Sequence, residues 1–413
     1  MMFFGWKVVA TAFAVAAFAW SIGFYGPSVF LATLHQERGW SVSVISAAIT
    51  AHYLVSAALV AHLDSAHRRF GLAGVTRFGI AGLVLGAVGW SLAAAPWQLF
   101  LAAIVTGTGW SATNAAAINA MVSPWFDRRR ALALSHAFNG SSIGGVVFTP
   151  LWIALIARFG FTGAAMLIGV VVLAVLWPLI GRYLGATPEV MGLRPDGDTV
   201  EAVHRPHSLG QQATLAMLLR DRRFATLSVA FALGLFAQIG LVAHLVTRLA
   251  PVLGTGGAAG AVSLATACAV AGRYLLGALM SADRRLAAMG NFLMQACGAV
   301  CLALGTNAGV LLMGCVLFGL GIGNLVLLSP LIAQREFAPN DVPRVVALVT
   351  AVNLAVFSFA PAVFGLLREA TGDYTAPFLV AAAVQLTAGV VVLLGRHPIR
   401  IPVQIDSATR RGR

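Results

Sequence analysis

One side chain stands out for the chemistry it could do. Arg273 lies near the middle of a long apolar stretch, whereas none of the 14 acidic residues falls inside such a stretch. A cation at mid-membrane depth is costly and usually meets an anion. The chain offers no embedded carboxylate, so the expected anion is a substrate. Arg273 is ten residues from Asp283, or about 15 Å at 1.5 Å per residue. That is the midplane of a core about 30 Å thick. The planar guanidinium fork suits bidentate binding of a carboxylate or phosphate. The bland alternative is a structural arginine satisfied by helix carbonyls and amide side chains.

Other polar residues lie at similar depth. Asn139 and Asn353 each follow a basic residue, Arg130 and Arg344, by nine positions, or about 13 Å. Asparagine supplies both donor and acceptor, but polar residues between packed helices are also ordinary interhelical glue. Asn114, Gln238 and Tyr25, the last beside Gly26-Pro27, complete the substrate-binding candidates. His52, His136 and His244 are the candidates for proton coupling, because histidine is the side chain that titrates near neutrality. Each is equally readable as a neutral, hydrogen-bonded helix residue.

The elements that position these residues follow from composition. Of 413 residues, 59% are hydrophobic and 10% charged, against about 25% charged in soluble domains. Mean hydropathy is +0.87. Twelve apolar stretches approach the ~20 residues that cross a bilayer as a helix: 8–32, 44–63, 72–94, 97–122, 131–156, 161–184, 223–250, 258–281, 286–305, 308–333, 343–367 and 375–395. They are continuous rather than alternating, which disfavours barrel strands. The predicted fold is an all-α membrane protein of twelve transmembrane helices in two pseudo-symmetric six-helix bundles.

The net charge of +13 is a topology signal. With both termini inside, only Arg38, Arg158, Arg248 and Arg368 fall outside and Arg273 is embedded, so 22 of the 27 Lys and Arg face inward. The positive-inside rule is satisfied, and nucleic acid is not an expected partner. The apolar run after Lys7 is too long for a signal peptide and reads as a retained first span. Lys7 is the only lysine, a bias that points to a GC-rich bacterial genome and hence to a bacterial inner membrane. Cys268, Cys297, Cys301 and Cys315 all lie in apolar stretches, so they suggest packing rather than a disulfide framework.

The chain repeats itself. Arg130-Ala-Leu-Ala-Leu-Ser-His136-Ala-Phe-Asn139 and Arg344-Val-Val-Ala-Leu-Val-Thr350-Ala-Val-Asn353 match at five of ten positions with an offset of 214, and each follows a Ser-Pro pair. The loops Asp64…Arg68-Arg69 and Asp283-Arg284-Arg285 stand in equivalent places. Repeated six-helix units around a central site suit an alternating-access carrier. The expected domains are an N-terminal bundle at 1–184, a linker at 185–222, a C-terminal bundle at 223–395 and a basic tail at 396–413.

These motifs resemble the major facilitator superfamily over the whole chain. Asp64…Arg68-Arg69 and Gly277…Asp283-Arg284-Arg285 are similar to its cytoplasmic gating loops. The first copy departs from the pattern, with Ser65 and Ala66 after Asp64. Gly23-Phe-Tyr25-Gly-Pro27, Gly39-Trp40-Ser41 and Pro188-Glu-Val-Met-Gly-Leu-Arg-Pro195-Asp resemble the bacterial monocarboxylate-porter and oxalate:formate-antiporter branch. In that branch an arginine of span eight binds the substrate carboxylate, and Arg273 stands at the matching place. Oxalate carriers add a lysine in span eleven, where this chain has Asn353. The resemblance therefore implies a secondary transporter of a small, singly charged organic anion, proton-coupled or exchanging, working as a single chain.

Competing readings are weaker. An exporter of a neutral toxic compound or metalloid fits a site without carboxylates; Cys297 and Cys301 share a face of span nine that suits a soft metalloid. Asn139-Gly140-Ser-Ser-Ile-Gly144-Gly145 lacks the Gly-Pro pair of the superfamily's antiporters. A heteroaromatic vitamin suits Trp20, Phe24, Trp110 and Phe357. Gly107-Thr-Gly109 lies in an apolar span rather than a strand–turn–helix, so it marks close helix packing. No Walker motif, catalytic constellation or metal cluster is legible, so neither enzyme nor cofactor is expected. The segments outside the spans are too short for a sensor domain.

Overall fold

In hydrocarbon every backbone N–H and C=O must be satisfied within the chain, so a span this apolar forms a helix. The computed structural model describes residues 3–60, 62–197, 214–279, 283–338 and 341–396, and among these regular structure is entirely helical. Residues 198–213 of the linker and 397–413 of the tail lie outside the described residues. By length and hydropathy nine helical segments among those described qualify to cross a membrane. Two of them are double. A straight 54-residue helix such as Arg130–Tyr183 would run about 80 Å. It breaks instead at Gly160 (φ 70°, ψ 169°), and Arg222–Leu279 breaks at Gly254 (φ 69°, ψ 169°). Pro96–Val122 is interrupted at 112–114, so neither piece is long enough alone. The twelve predicted spans are all present on this reading.

We number them α1 to α12. In the first half, α1 comprises Phe4–Gly23 and Gly26–Arg38, and α2 is Val42–Val60. Helix α3 is 72–92, following the non-helical Gly71, and α4 comprises Pro96–Ser111 and Ala115–Val122. Helices α5 and α6 are 130–159 and 161–183. In the second half, α7 and α8 are 222–253 and 255–279. Then follow α9 (Arg284–Leu304), α10 (Ala308–Gly321 and Asn324–Glu336), α11 (Val342–Phe357 and Ala360–Thr371) and α12 (Thr375–Leu394). The turns after α1, α5, α7 and α11 are each made at a positive-φ glycine: Gly39, Gly160, Gly254 and Gly372. The repeat seen in sequence thus extends to backbone conformation.

The halves join at the end away from the arginine clusters. The Ser43 N–H, an orphan donor of α2's first turn, donates to Glu369 Oε1 at 2.9 Å. The break in α11 frees the Ala362 N–H, which donates to Thr50 Oγ at 3.0 Å. Ser263 Oγ donates to the Val146 carbonyl at 2.8 Å, and the Val246 N–H reaches Ser28 Oγ at 3.3 Å. At the arginine-rich end, the second pieces of α4 and α10 pack chiefly within their own halves.

The two basic loops differ. In the second half Asp283 caps α9 and accepts from Arg396 at 2.6 Å. Arg285, only 2% exposed, grips Glu336 through Nε and Nη2 at 2.6 and 2.7 Å. It also donates to Thr226 Oγ, the Arg223 carbonyl and the Val392 carbonyl. One guanidinium therefore ties α7, α9, α10 and α12 together. Arg284 donates to the Leu331 carbonyl. Hydrogen bonding from Arg223 holds Asp221 below the usual carboxylate range. That pair stabilises fully above the ordinary aspartate pKa and is lost as pH falls through the lower folded-state value. In the first half, by contrast, Arg68 pairs with Asp64 within one helical turn at the surface, and Arg69 lies over Phe70. The linker compensates: Asp196 accepts from the N–H groups of Asp127, Arg128 and Arg129 at 3.1, 2.8 and 3.3 Å.

Removing Glu336 leaves a buried guanidinium without its carboxylate, a change that costs about 3–5 kcal/mol. Glu336→Ala is expected to lower the thermal unfolding midpoint of the purified protein strongly. Asp64→Ala, which breaks an exposed pair, should move it little. Equal shifts for the two variants would refute the assignment of Arg285 as the tie.

Candidate functional site

Arg273 is seated by glycines on two helices. A Cβ on Gly272 would overlap the Leu320 carbonyl, and one on Gly319 would overlap Ala265, so α8 and α10 pack backbone to backbone. Just beyond this contact α10 breaks, and Gly323 takes φ 87°. The Arg273 guanidinium lies on that break: a Cβ on Gly323 would come within 2.7 Å of Nη2 and 2.8 Å of Nε. Nη1 donates to Asn139 Oδ1 on α5 at 3.0 Å. The half-buried Arg273 thus spans the seam between the two halves, in contact with α5, α8 and α10.

An amide network braces the break from behind. Gln295 Nε2 donates to the Gly321 carbonyl at 3.3 Å, and Gln385 Nε2 to Gln295 Oε1 at 3.2 Å and the Gly234 carbonyl at 3.1 Å. Asn324 Nδ2 donates to Asn291 Oδ1 at 3.0 Å and the Leu320 carbonyl at 2.9 Å. The bonds to Gly321 and Leu320 satisfy carbonyls that an unbroken α10 would have satisfied itself. About two turns from Arg273, away from the arginine-rich end, Gly145 of α5 accommodates the Tyr25 ring and the Thr266 methyl, either of which a Cβ would strike. The remaining void, lined by Tyr25, Ser28, Thr149 and Thr266 among others, is about 10 Å³, room for roughly one water. The site is plugged on that side.

A model of the Major Facilitator Superfamily matches residues 9–338. The chain belongs to that superfamily. It is 26% identical to human monocarboxylate transporter 11, over 94% of this chain and 82% of that protein. It is 27% identical to the MFS transporter asaE of Aspergillus flavus, over 76% of this chain and 67% of that one. In fold it is similar to a point mutant of the nucleoside transporter NupG, with a TM-score of 0.72 at 11% identity, covering 94% of this chain and all of that one. The protein is accordingly a multi-pass membrane transporter of this superfamily.

The other candidates separate into groups. Arg273 and Asn139 are in direct contact, with Tyr25 in the plug above them. Asn353, at the position equivalent to Asn139, is buried with Oδ1 unpartnered among the described residues. Gln238 is likewise buried with a lone Oε1. Asn114 is occupied as a helix cap: Oδ1 accepts from the Ala116 N–H at 2.9 Å, and Nδ2 points to Ser56 Oγ at 3.5 Å. His52 holds α1, α2 and α4 together through the Gly23 carbonyl at 3.1 Å and Thr106 Oγ at 3.0 Å. His244 lies in the seam at the closed end, near Ser46 (3.4 Å), the Pro361 carbonyl (3.1 Å) and the Tyr374 hydroxyl (3.4 Å). His136 is exposed, edge-on to Trp6. Trp20 and Trp110 meet at 4.7 Å, and Tyr53 meets Phe357 across the seam at 5.8 Å. Cys297 is exposed and Cys301 half-buried on α9.

Sequence reasoning missed the seat and its brace. The run Gly319-Leu-Gly321-Ile-Gly323 reads as close packing, which Gly319 does provide. Gly323 does something else, and Asn291 and Gln295 at i, i+4 in an apolar span were the available signal. If Gly323 seats the guanidinium, Gly323→Ala displaces it from Asn139. Asn139→Ala should then cost about 1.5–3 kcal/mol in the wild type, the worth of a hydrogen bond to a charge, and almost nothing in the Gly323→Ala background. An unchanged cost in a double-mutant cycle read by unfolding would remove the seat.

Proposed function

We propose that this transporter is a secondary carrier for a small monocarboxylate, bound through its carboxylate by Arg273 with Asn139 beside it. The observation that carries the reading is the position of one guanidinium at mid-depth on the seam between the halves, hydrogen-bonded across it. An anion bound there touches both bundles, so its binding energy bears on their relative orientation. The resemblance to monocarboxylate transporter 11 supports this substrate class, as does the absence of a lysine at Asn353. The charge asymmetry supports placing both termini and the linker on the cytoplasmic face of a bacterial inner membrane. On that assignment the closed end is periplasmic and the site faces inward.

Binding is tested on Arg273. Arg273→Lys should weaken uptake and equilibrium binding of lactate-sized monocarboxylates, because a point charge does not replace the fork. Arg273→Ala should lose about 2–5 kcal/mol, some 30-fold to several-thousand-fold in affinity, in protein that remains monodisperse. Wild-type binding by folded Arg273→Ala would overturn the anion site and favour a neutral substrate.

Coupling to protons is assigned to His244, whose contact with Ser46 of α2 crosses the seam that must open, while those with Pro361 and Tyr374 stay within the second half. A neutral imidazole accepts at one nitrogen; protonation turns both into donors, so the contacts of the closed end then depend on pH. His244→Gln should preserve binding and flatten the pH dependence of uptake. An unchanged profile would assign the proton to the substrate itself or show exchange.

A further inference from the structure

Arg77 belongs to α3 but lies six residues inside it, about 9 Å from Gly71 along the helix, at the arginine-rich end. Its guanidinium does not turn into the bundle. Nε and Nη2 donate to the Trp177 carbonyl on α6 at 3.3 and 3.1 Å, and the group lies 5.2 Å from the Trp177 ring centroid. A Cβ on Gly181 would overlap Nη2, so the side chain runs over α6 toward the membrane face, as snorkelling arginines do. That carbonyl takes two of the five N–H groups of a guanidinium. Arg182, exposed, is four residues beyond Pro178, which lines a groove between α3 and α6, and so lies on the same face of α6, with its guanidinium against the neighbouring Tyr183 ring.

From this pair of arginines a groove runs away along the outer wall of the first bundle. It is lined by Ala81, Val84 and Leu85 of α3 and by Leu173, Ala174 and Trp177 of α6, and it has a volume of about 670 Å³. Its length from Arg77 to Leu85 is about 12 Å. Its walls are apolar, and Leu85 and Trp177 are exposed. Basic pockets between transmembrane helices at the cytoplasmic side are suited to lipid headgroups. An acyl chain fits the walls, and only an anion complements the mouth.

We propose that the α3–α6 groove is a binding site for one diacyl phospholipid with an anionic headgroup, its phosphate on Arg77 and Arg182 and an acyl chain along Ala81, Leu85 and Ala174. The site is separate from Arg273 and does not rest on the identity of the transported substrate.

The test uses delipidated, purified full-length protein titrated with phosphatidylglycerol, with phosphatidylcholine of the same acyl chains, or with inorganic phosphate, and reads bound lipid by native mass spectrometry and unfolding temperature. The wild type should bind one phosphatidylglycerol saturably, with at least about tenfold preference over phosphatidylcholine, the scale set by hydrogen bonds to a charged group. Arg77→Gln should remove that preference. Ala174→Trp, which fills the groove without touching either arginine, should weaken both lipids and leave the arginines in place. Because Arg77→Gln also loosens the α3–α6 contact, the quantity compared is the difference between the two lipids within each variant. Equal binding of both lipids by the wild type, retention of the preference in Arg77→Gln, or stabilisation by inorganic phosphate equal to that by phosphatidylglycerol would each overturn the proposal.

Discussion

Holding a guanidinium at mid-membrane depth is the constraint on which the centre of this molecule depends. A charge in hydrocarbon must be wrapped in acceptors or taken out of the lipid altogether. Here it is taken to the seam, where α5, α8 and α10 converge. Reaching that position requires α8 and α10 to touch backbone to backbone, which only Gly272 and Gly319 permit. It also requires α10 to break, and the Leu320 and Gly321 carbonyls at the break accept from the Asn324 and Gln295 amides, with Gln385 holding Gln295 in turn.

The joints between the halves are of a different kind. Those at the closed end use short side chains and helix-terminal N–H groups: Ser43 to Glu369, Ala362 to Thr50, Ser263 to Val146. The two neutral ones are individually modest, each worth about 1 kcal/mol net, and the bond to the Glu369 carboxylate about 1.5–3 kcal/mol. A gate built from such contacts is reversible. A gate built like the Arg285–Glu336 tie would not be, since breaking a buried ion pair costs several kcal/mol. Among the described residues, the buried Arg285–Glu336 pair lies inside one bundle.

The sequence makes the large features legible because lipid imposes them. Span length, apolar continuity and charge asymmetry follow from the solvent, and the 214-residue repeat follows from duplicated architecture. Depth marked Arg273, Asn139 and Asn353 alike as candidates, all about 13–15 Å from the basic end, and only the fold shows that Asn139 is the one that meets Arg273. What was not readable depends on which way a side chain points. Asn114 sits at comparable depth but is used up as a cap, because α4 breaks immediately before Ala115. His52 is a brace because Gly23 and Thr106 happen to face it. Arg77 was counted with the cytoplasmic arginines, although it lies within α3 and runs across α6. Gly323 looked like its neighbours Gly319 and Gly321, and only its positive φ distinguishes it.

The two basic loops show how far pseudo-symmetry carries. The repeat places Asp64…Arg68-Arg69 and Asp283-Arg284-Arg285 alike, yet only the second copy is wired into its bundle. The difference is one of partners: Glu336 at the end of α10 and Thr226 on α7 meet Arg285, whereas the Asp64–Arg68 pair is 82% and 67% exposed. In the first half the corresponding task falls to the linker, where Asp196 in a left-handed conformation (φ 60°) gathers three successive N–H groups at the entry to α5. A carboxylate there also complements the positive end of α5, the helix that carries Asn139. The first bundle's arginine-rich end is therefore fixed by a segment that lies between the bundles in sequence, while the second is fixed from within. Relative motion of the halves would load the linker contact and leave the Arg285 tie undisturbed. In this chain the duplicated motif has kept its position in both halves and its structural work in one.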